Sequence, residues 1–148
     1  MQVANEILIP EMARLLQAGK LVRFTPSGVS MRPFIEGGKD SVVLTSVSGE
    51  PQRGDILLAR VQTADNQQVY VLHRLVRIEG SGQRANYILQ GDGNLFGEEM
   101  CCREDIIGKV VRIETADGKK KWLSNGRVWY WLRPVRKWLL KIYRHTMI

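Results

Sequence analysis

The hydrophobic positions change period twice along the chain. In residues 6–18, Ile7, Leu8, Met12, Leu15 and Leu16 recur at the three- and four-residue spacing that lines one face of a helix, and Gly19 follows where such a helix should stop. From about residue 21 to 123 the texture becomes short β-branched runs. LVRF, SVVLTSV, DILLARV, VYVLHRLVRI, NYILQ and IIGKVVRIE each predict a strand, and GG, SGEPQRG, TADNQ, EGSGQ and ADGK predict the turns between them. Beyond Arg127 a helical period returns, with Val128, Trp131, Leu132, Val135, Trp138, Leu139 and Ile142 on one side and the cations mostly on the other. Pro134 should start or kink that helix, because its ring removes a backbone donor and crowds the preceding turn. The expected fold is mainly β, a compact barrel or folded sheet over residues 21–123. A helix within residues 1–20 belongs to the same domain, and a basic aromatic helix occupies residues 124–148.

Size and charge narrow this picture. A chain of 148 residues that is 44% hydrophobic suits one domain around a single sizeable core. The net charge of +7 is unevenly placed: Arg127, Arg133, Arg136, Lys137, Lys141 and Arg144 lie in the last segment with no acid among them, so the body is nearly neutral. Trp129, Trp131 and Trp138 lie there too, beside Tyr130 and Tyr143. Aromatics with lysine and arginine suit a helix lying on a membrane surface, and equally a helix packing its apolar face on the domain. No nucleic-acid partner is expected, since the body is not basic and carries no recognition motif.

The N-terminal segment lacks a basic stretch followed by an apolar run, and nowhere do about 20 consecutive apolar residues occur. These features predict a protein that is cytoplasmic or peripheral to the membrane. The adjacent Cys101 and Cys102 cannot build a disulfide framework and are expected as free thiols. With only His73 and His145 besides, no metal-ligand spacing recurs, and no metal or other cofactor is expected.

Candidate chemistry begins at GVSMRPFIEGGKDSVVL, residues 28–44. A serine hydroxyl is a weak nucleophile near neutral pH and needs a base within hydrogen-bond reach, together with donors for the developing oxyanion. Gly28 before Ser30 and Pro33 after it suit a turn that exposes the hydroxyl, yet a lone serine in a turn is ordinary. The order of the following segments is not: GVSMRPF is succeeded by GGKDSVVL, RGDILLARV, YVLHRLVRI, LQGDGN and IIGKVVRI.

Together these boxes, over about residues 21–113, resemble the superfamily of type I signal peptidases and LexA-like repressors. The resemblance implies that Ser30 is the nucleophile, within a serine-methionine-x-proline box completed by Met31 and Pro33. Where most bacterial members have a lysine base ahead of an arginine, this chain has His73-Arg74, which is similar to the histidine-type subgroup. Histidine titrates near 6.5 without help, and a carboxylate on its other nitrogen would orient it. The resemblance implies Asp92 of LQGDGN for that carboxylate, with Glu98 of GEEM as the alternative and a dyad without an acid as a third arrangement. His145, among cations, makes a poor base.

The oxyanion hole implied by the resemblance uses the Ser30 N–H and a second donor from Ser27 or Gly28. The substrate would be an extended peptide with small residues beside the scissile bond, cleaved by a serine endopeptidase acting on leader or signal-like sequences. A self-cleaving LexA-like regulator and a catalytically silent peptide-binding module are the competing expectations.

Overall fold

The computed structural model of the chain describes residues 2–3, 8–94, 97–123, 126–127, 129 and 132–146. The predicted first helix is α1, Leu8–Gln17. Its buried stripe is Ile9, Met12 and Leu16, with Leu15 partly covered, while Leu8 points to solvent. The stripe is thus rotated from the expected one, and Ile7 falls outside the described residues. Each predicted strand is present within a residue or two: β2 Val22–Phe24, β3 Ser41–Thr45, β4 Ile56–Gln62, β5 Gln68–Glu79, β6 Asn86–Gln90 and β8 Ile106–Glu114. Three short strands were not expected: β1 Gln2–Val3, β7 Glu99–Cys101 and β9 Lys120–Lys121.

The strands form an antiparallel sheet in the order β2-β3-β8-β4-β5-β6-β7, with β1 added to β5 and β9 to β8. Bulges in β3–β8, β4–β8 and β5–β6 shift the register and help the sheet fold around itself. Because side chains alternate across a strand, central β4 is apolar on both faces. Ile56 and Leu58 enter one core with α1, Met31, Ile35, Leu72 and Val110; Leu57, Ala59 and Val61 enter a second with Val71, Leu75, Tyr87, Leu89 and Cys101. A fully buried leucine such as Leu58 contributes about 1.5–3 kcal/mol relative to its exposed state. The helix approaches the sheet at Gly108, where a methyl group would stand 2.9 Å from Leu16 Cδ1 and 3.1 Å from the Thr45 carbonyl oxygen.

The C-terminal helix, α2, spans Arg136–Thr146 after a single tight turn, Arg133–Val135, that contains Pro134. Proline therefore sits ahead of the regular helix, where its missing N–H costs nothing. Val128 and Trp131, expected on the apolar side, lie outside the described residues. Leu140 is buried, whereas Val135, Trp138, Leu139 and Ile142 are exposed. The expected apolar side therefore faces away from the domain over the part described. Among the described residues, no helix is long and apolar enough to cross a membrane.

Candidate active site

Ser30 lies in the turn-rich loop between β2 and β3, and His73 lies in the middle of β5. Ser30 Oγ and His73 Nε2 are 3.0 Å apart, although 43 residues separate them in the chain. Several contacts hold the loop in place. Met31, next to the hydroxyl-bearing residue, is fully buried in the first core, and its sulfur accepts the Asp92 N–H at 3.4 Å. The Gly93 N–H donates to the Ser30 carbonyl at 2.6 Å, and the Arg32 guanidinium grips Glu36 one turn along.

Gly91 lies so close to this loop that a methyl group on it would be 2.5 Å from the Ser30 carbonyl oxygen and 2.8 Å from Asn94 Nδ2. The glycines of LQGDGN thus let one backbone lie directly on the other. Ser27 and Gly28 form an exposed turn just ahead of Ser30, with Gly28 at φ +98°, a conformation that favours glycine.

On its other nitrogen, His73 meets Glu99: Nδ1 to Oε2 is 3.0 Å. Hydroxyl, imidazole and carboxylate therefore form one hydrogen-bonded line. Neither carboxylate expected beside His73 lies there. The Asp92 carboxylate receives the Arg74 guanidinium at 2.9 Å to one oxygen and 2.7 Å to the other, and both side chains are about 4% exposed. Arg74 also donates to the Gly54 carbonyl and stacks 5.1 Å from the Phe34 ring centre, while the Asp92 carbonyl accepts the Trp129 indole N–H. Glu98 instead pairs with Arg77.

Strand alternation explains both differences. His73 and Arg74 are consecutive on β5 and must point to opposite faces. Arg74 pairs in register with Gln90, so Asp92, two residues further along, lies on the arginine side. In β7, Glu99 is opposite Leu89 and Cys101 opposite Tyr87, and all of these share the second-core face with Leu75. His73, two residues before Leu75, belongs to the same face. The signal for Glu99 was present in the EEMC alternation: an inward Cys101 requires an inward Glu99 and outward Glu98 and Met100, and Met100 is indeed exposed.

Burial, with His73 only 3% exposed, lowers the imidazole below its usual value by disfavouring the charged form, and the Glu99 carboxylate opposes that effect. Burial likewise raises the Asp92 carboxyl, against the opposing pull of Arg74. The two thiols differ: Cys102 is exposed, while Cys101 is buried and pushed up to about 12 by the loss of solvation. A shallow cleft of about 260 Å³ opens over the line of three side chains, walled by Val61, Val69 and Val71 with Asn94 at its rim. A larger cavity of about 360 Å³ lies on the Arg74–Asp92 side and does not include Ser30 or His73.

A hydroxyl, an imidazole and a carboxylate thus stand in line under a strand-walled cleft of a folded β-sheet domain. Known proteins supply the family. The chain is 32% identical over 127 residues to signal peptidase complex catalytic subunit sec11 of Sclerotinia sclerotiorum, covering 74% of this chain and 72% of that protein. The SEC11 subunit of Fusarium vanettenii is 29% identical over the same length and coverage, and that of Metarhizium robertsii is 34% identical over 94 residues, or 47% of this chain and 55% of the relative. This chain belongs to the family of signal peptidase catalytic subunits. No protein-family model matches it, and no solved structure matches it.

Proposed function

We propose that the chain is a serine endopeptidase that cleaves leader or signal-like peptides, with Ser30 as nucleophile, His73 as general base and Glu99 as the carboxylate that positions His73. The observation that carries this reading is the unbroken line from Ser30 Oγ through both ring nitrogens of His73 to Glu99, with two contacts of 3.0 Å. His73 Nε2 takes the hydroxyl proton as Oγ attacks the scissile carbonyl, and the resulting imidazolium returns that proton to the leaving amine. Glu99 accepts from Nδ1–H, which selects the tautomer with Nε2 open as acceptor and stabilises the imidazolium. Burial lowers His73 below its usual value, which favours the neutral ring that can accept the proton. The acyl-enzyme is then hydrolysed by a water that His73 activates.

The Ser30 N–H and a donor from the Ser27–Gly28 turn are assigned to the oxyanion. An extended peptide would lie across the cleft, where Val61, Val69 and Val71 favour small side chains beside the scissile bond. Asp92 holds Arg74 and the glycine turn beneath Ser30, a supporting role. The test is cleavage of synthetic leader peptides, read by mass spectrometry, by the native chain and by Ser30→Ala and His73→Ala, together with labelling by a serine-directed fluorophosphonate. Each substitution should abolish turnover while leaving the fold intact. Undiminished cleavage by Ser30→Ala would overturn the assignment, and cleavage confined to the chain itself would replace it with a self-processing role.

A further inference from the structure

The larger cavity, about 360 Å³ on the Arg74–Asp92 side of β5, is lined by arginine. Four guanidinium side chains reach it, Arg53, Arg74, Arg127 and Arg136, against the single carboxylate of Asp92. Arg74 and Arg136 are each 3% exposed, whereas Arg53 and Arg127 are exposed, so positive charge runs from the mouth to the floor. Arg74 donates to both oxygens of Asp92, and the Gly126 backbone lies against it: a methyl group on Gly126 would stand 2.7 Å from Arg74 Nε. Arg136 packs over the Trp129 ring, 5.9 Å from its centre. Counted over the described residues of the lining, positive charge exceeds negative by three. Such an excess in a concave, partly buried space favours an anionic occupant.

A second observation points the same way. Gln90, 3% exposed and in register with Arg74, lines this cavity, and its amide nitrogen is buried without a hydrogen-bond partner among the described residues. A buried donor left unmade is costly, and an oxygen placed in the cavity would satisfy it. Donor number and charge select among anions. A carboxylate brings two oxygens and one negative charge, whereas a phosphate monoester brings three terminal oxygens and close to two charges. Guanidinium forks match phosphate oxygens in pairs. The cavity is also in the size range of small-molecule sites, and Trp129 gives it an aromatic wall.

We propose that this cavity binds a phosphate group, as the free ion or as a small monoester. Arg53 and Arg127 draw it in, and Arg136 and the Gln90 amide donate to its oxygens. Binding does not depend on which residues perform the chemistry. Isothermal titration calorimetry of the full chain compares inorganic phosphate, glycerol phosphate and succinate at one ionic strength. Phosphate should bind at one site per chain, about tenfold more tightly than succinate. A tighter monoester than free ion would identify a phosphorylated metabolite as the ligand; equal affinity would identify the ion itself. Gln90→Leu, which removes the unpartnered donor at similar volume, should keep or raise the melting midpoint and weaken phosphate binding about tenfold. Arg53→Glu combined with Arg127→Glu should remove binding, while Lys20→Glu, an exposed charge reversal outside the lining, should leave it within about twofold of native. Hydrogen exchange should slow at Gly54, Gly91 and Asp92, which line the cavity, and stay unchanged in α1. Absence of phosphate binding by the native chain would overturn the proposal. So would succinate binding as tightly as phosphate, native-like binding by Gln90→Leu and the double arginine variant, or protection confined to residues outside the cavity.

Discussion

Replacing Glu99 with glutamine preserves the shape of the side chain and an oxygen acceptor for His73 Nδ1–H but removes the negative charge. That charge matters when His73 becomes an imidazolium in a site where the ring is almost wholly buried and Glu99 Oε2 is 3.0 Å from Nδ1. Unit charges about 4 Å apart interact by about 4 kcal/mol at an effective dielectric of about 20. The Glu99 side chain is 25% exposed, and solvent screening lowers the loss to about 2–3 kcal/mol, or roughly 30- to 150-fold in kcat.

The pH profile supplies a second readout that loss of packing would not imitate. Under the proposed mechanism activity requires neutral His73 and should be lost as the pH falls through its value, which burial lowers and Glu99 partly restores. Removing the carboxylate takes away the main influence opposing burial and leaves only the weaker pull of Asp92, so the acid limb of kcat/KM should move to lower pH. Steady-state cleavage of a fluorogenic leader peptide across pH, for the native chain, Glu99→Gln and Glu99→Asp, measures both effects. The assignment is refuted if Glu99→Gln keeps kcat within about threefold of native, or if its acid limb moves upward.

Asp92→Asn should behave differently, because it leaves the buried Arg74 guanidinium without its counter-charge. About 3–5 kcal/mol of stability should be lost, lowering the melting midpoint by roughly 10 °C in a thermal scan. Gly91→Ala places a methyl group 2.5 Å from the Ser30 carbonyl oxygen and should displace Ser30, the proposed nucleophile, by about 1 Å, reducing kcat by about 100-fold in a chain that still folds; peptide cleavage alongside circular dichroism checks this. Iodoacetamide at neutral pH should alkylate Cys102 in the native chain and leave Cys101 unmodified until denaturant is added, as peptide mapping would read directly.

The strand-forming runs were legible because alternation and turn residues are local properties. The order of the boxes around Ser30 and His73 was enough to single out two side chains that the fold brings to hydrogen-bond distance. The carboxylate was not legible by the same route. Its identity depends on which face of β7 turns inward, a matter of register across β5, β6 and β7, and on the prior engagement of Asp92 by Arg74, which alternation places opposite His73.

The tail divides in the same way. Its 3.6-residue period and its cations are properties of the sequence alone, and they predict an amphipathic helix whatever it touches. Which side of that helix meets the domain is a tertiary choice. Arg136 and Leu140 are buried and Tyr143 donates to Glu36 on the body, so the wider apolar side is left facing out. Local pattern determined the elements and their amphipathic sides; packing and register across distant strands decided which carboxylate reaches His73 and which face of the last helix remains available.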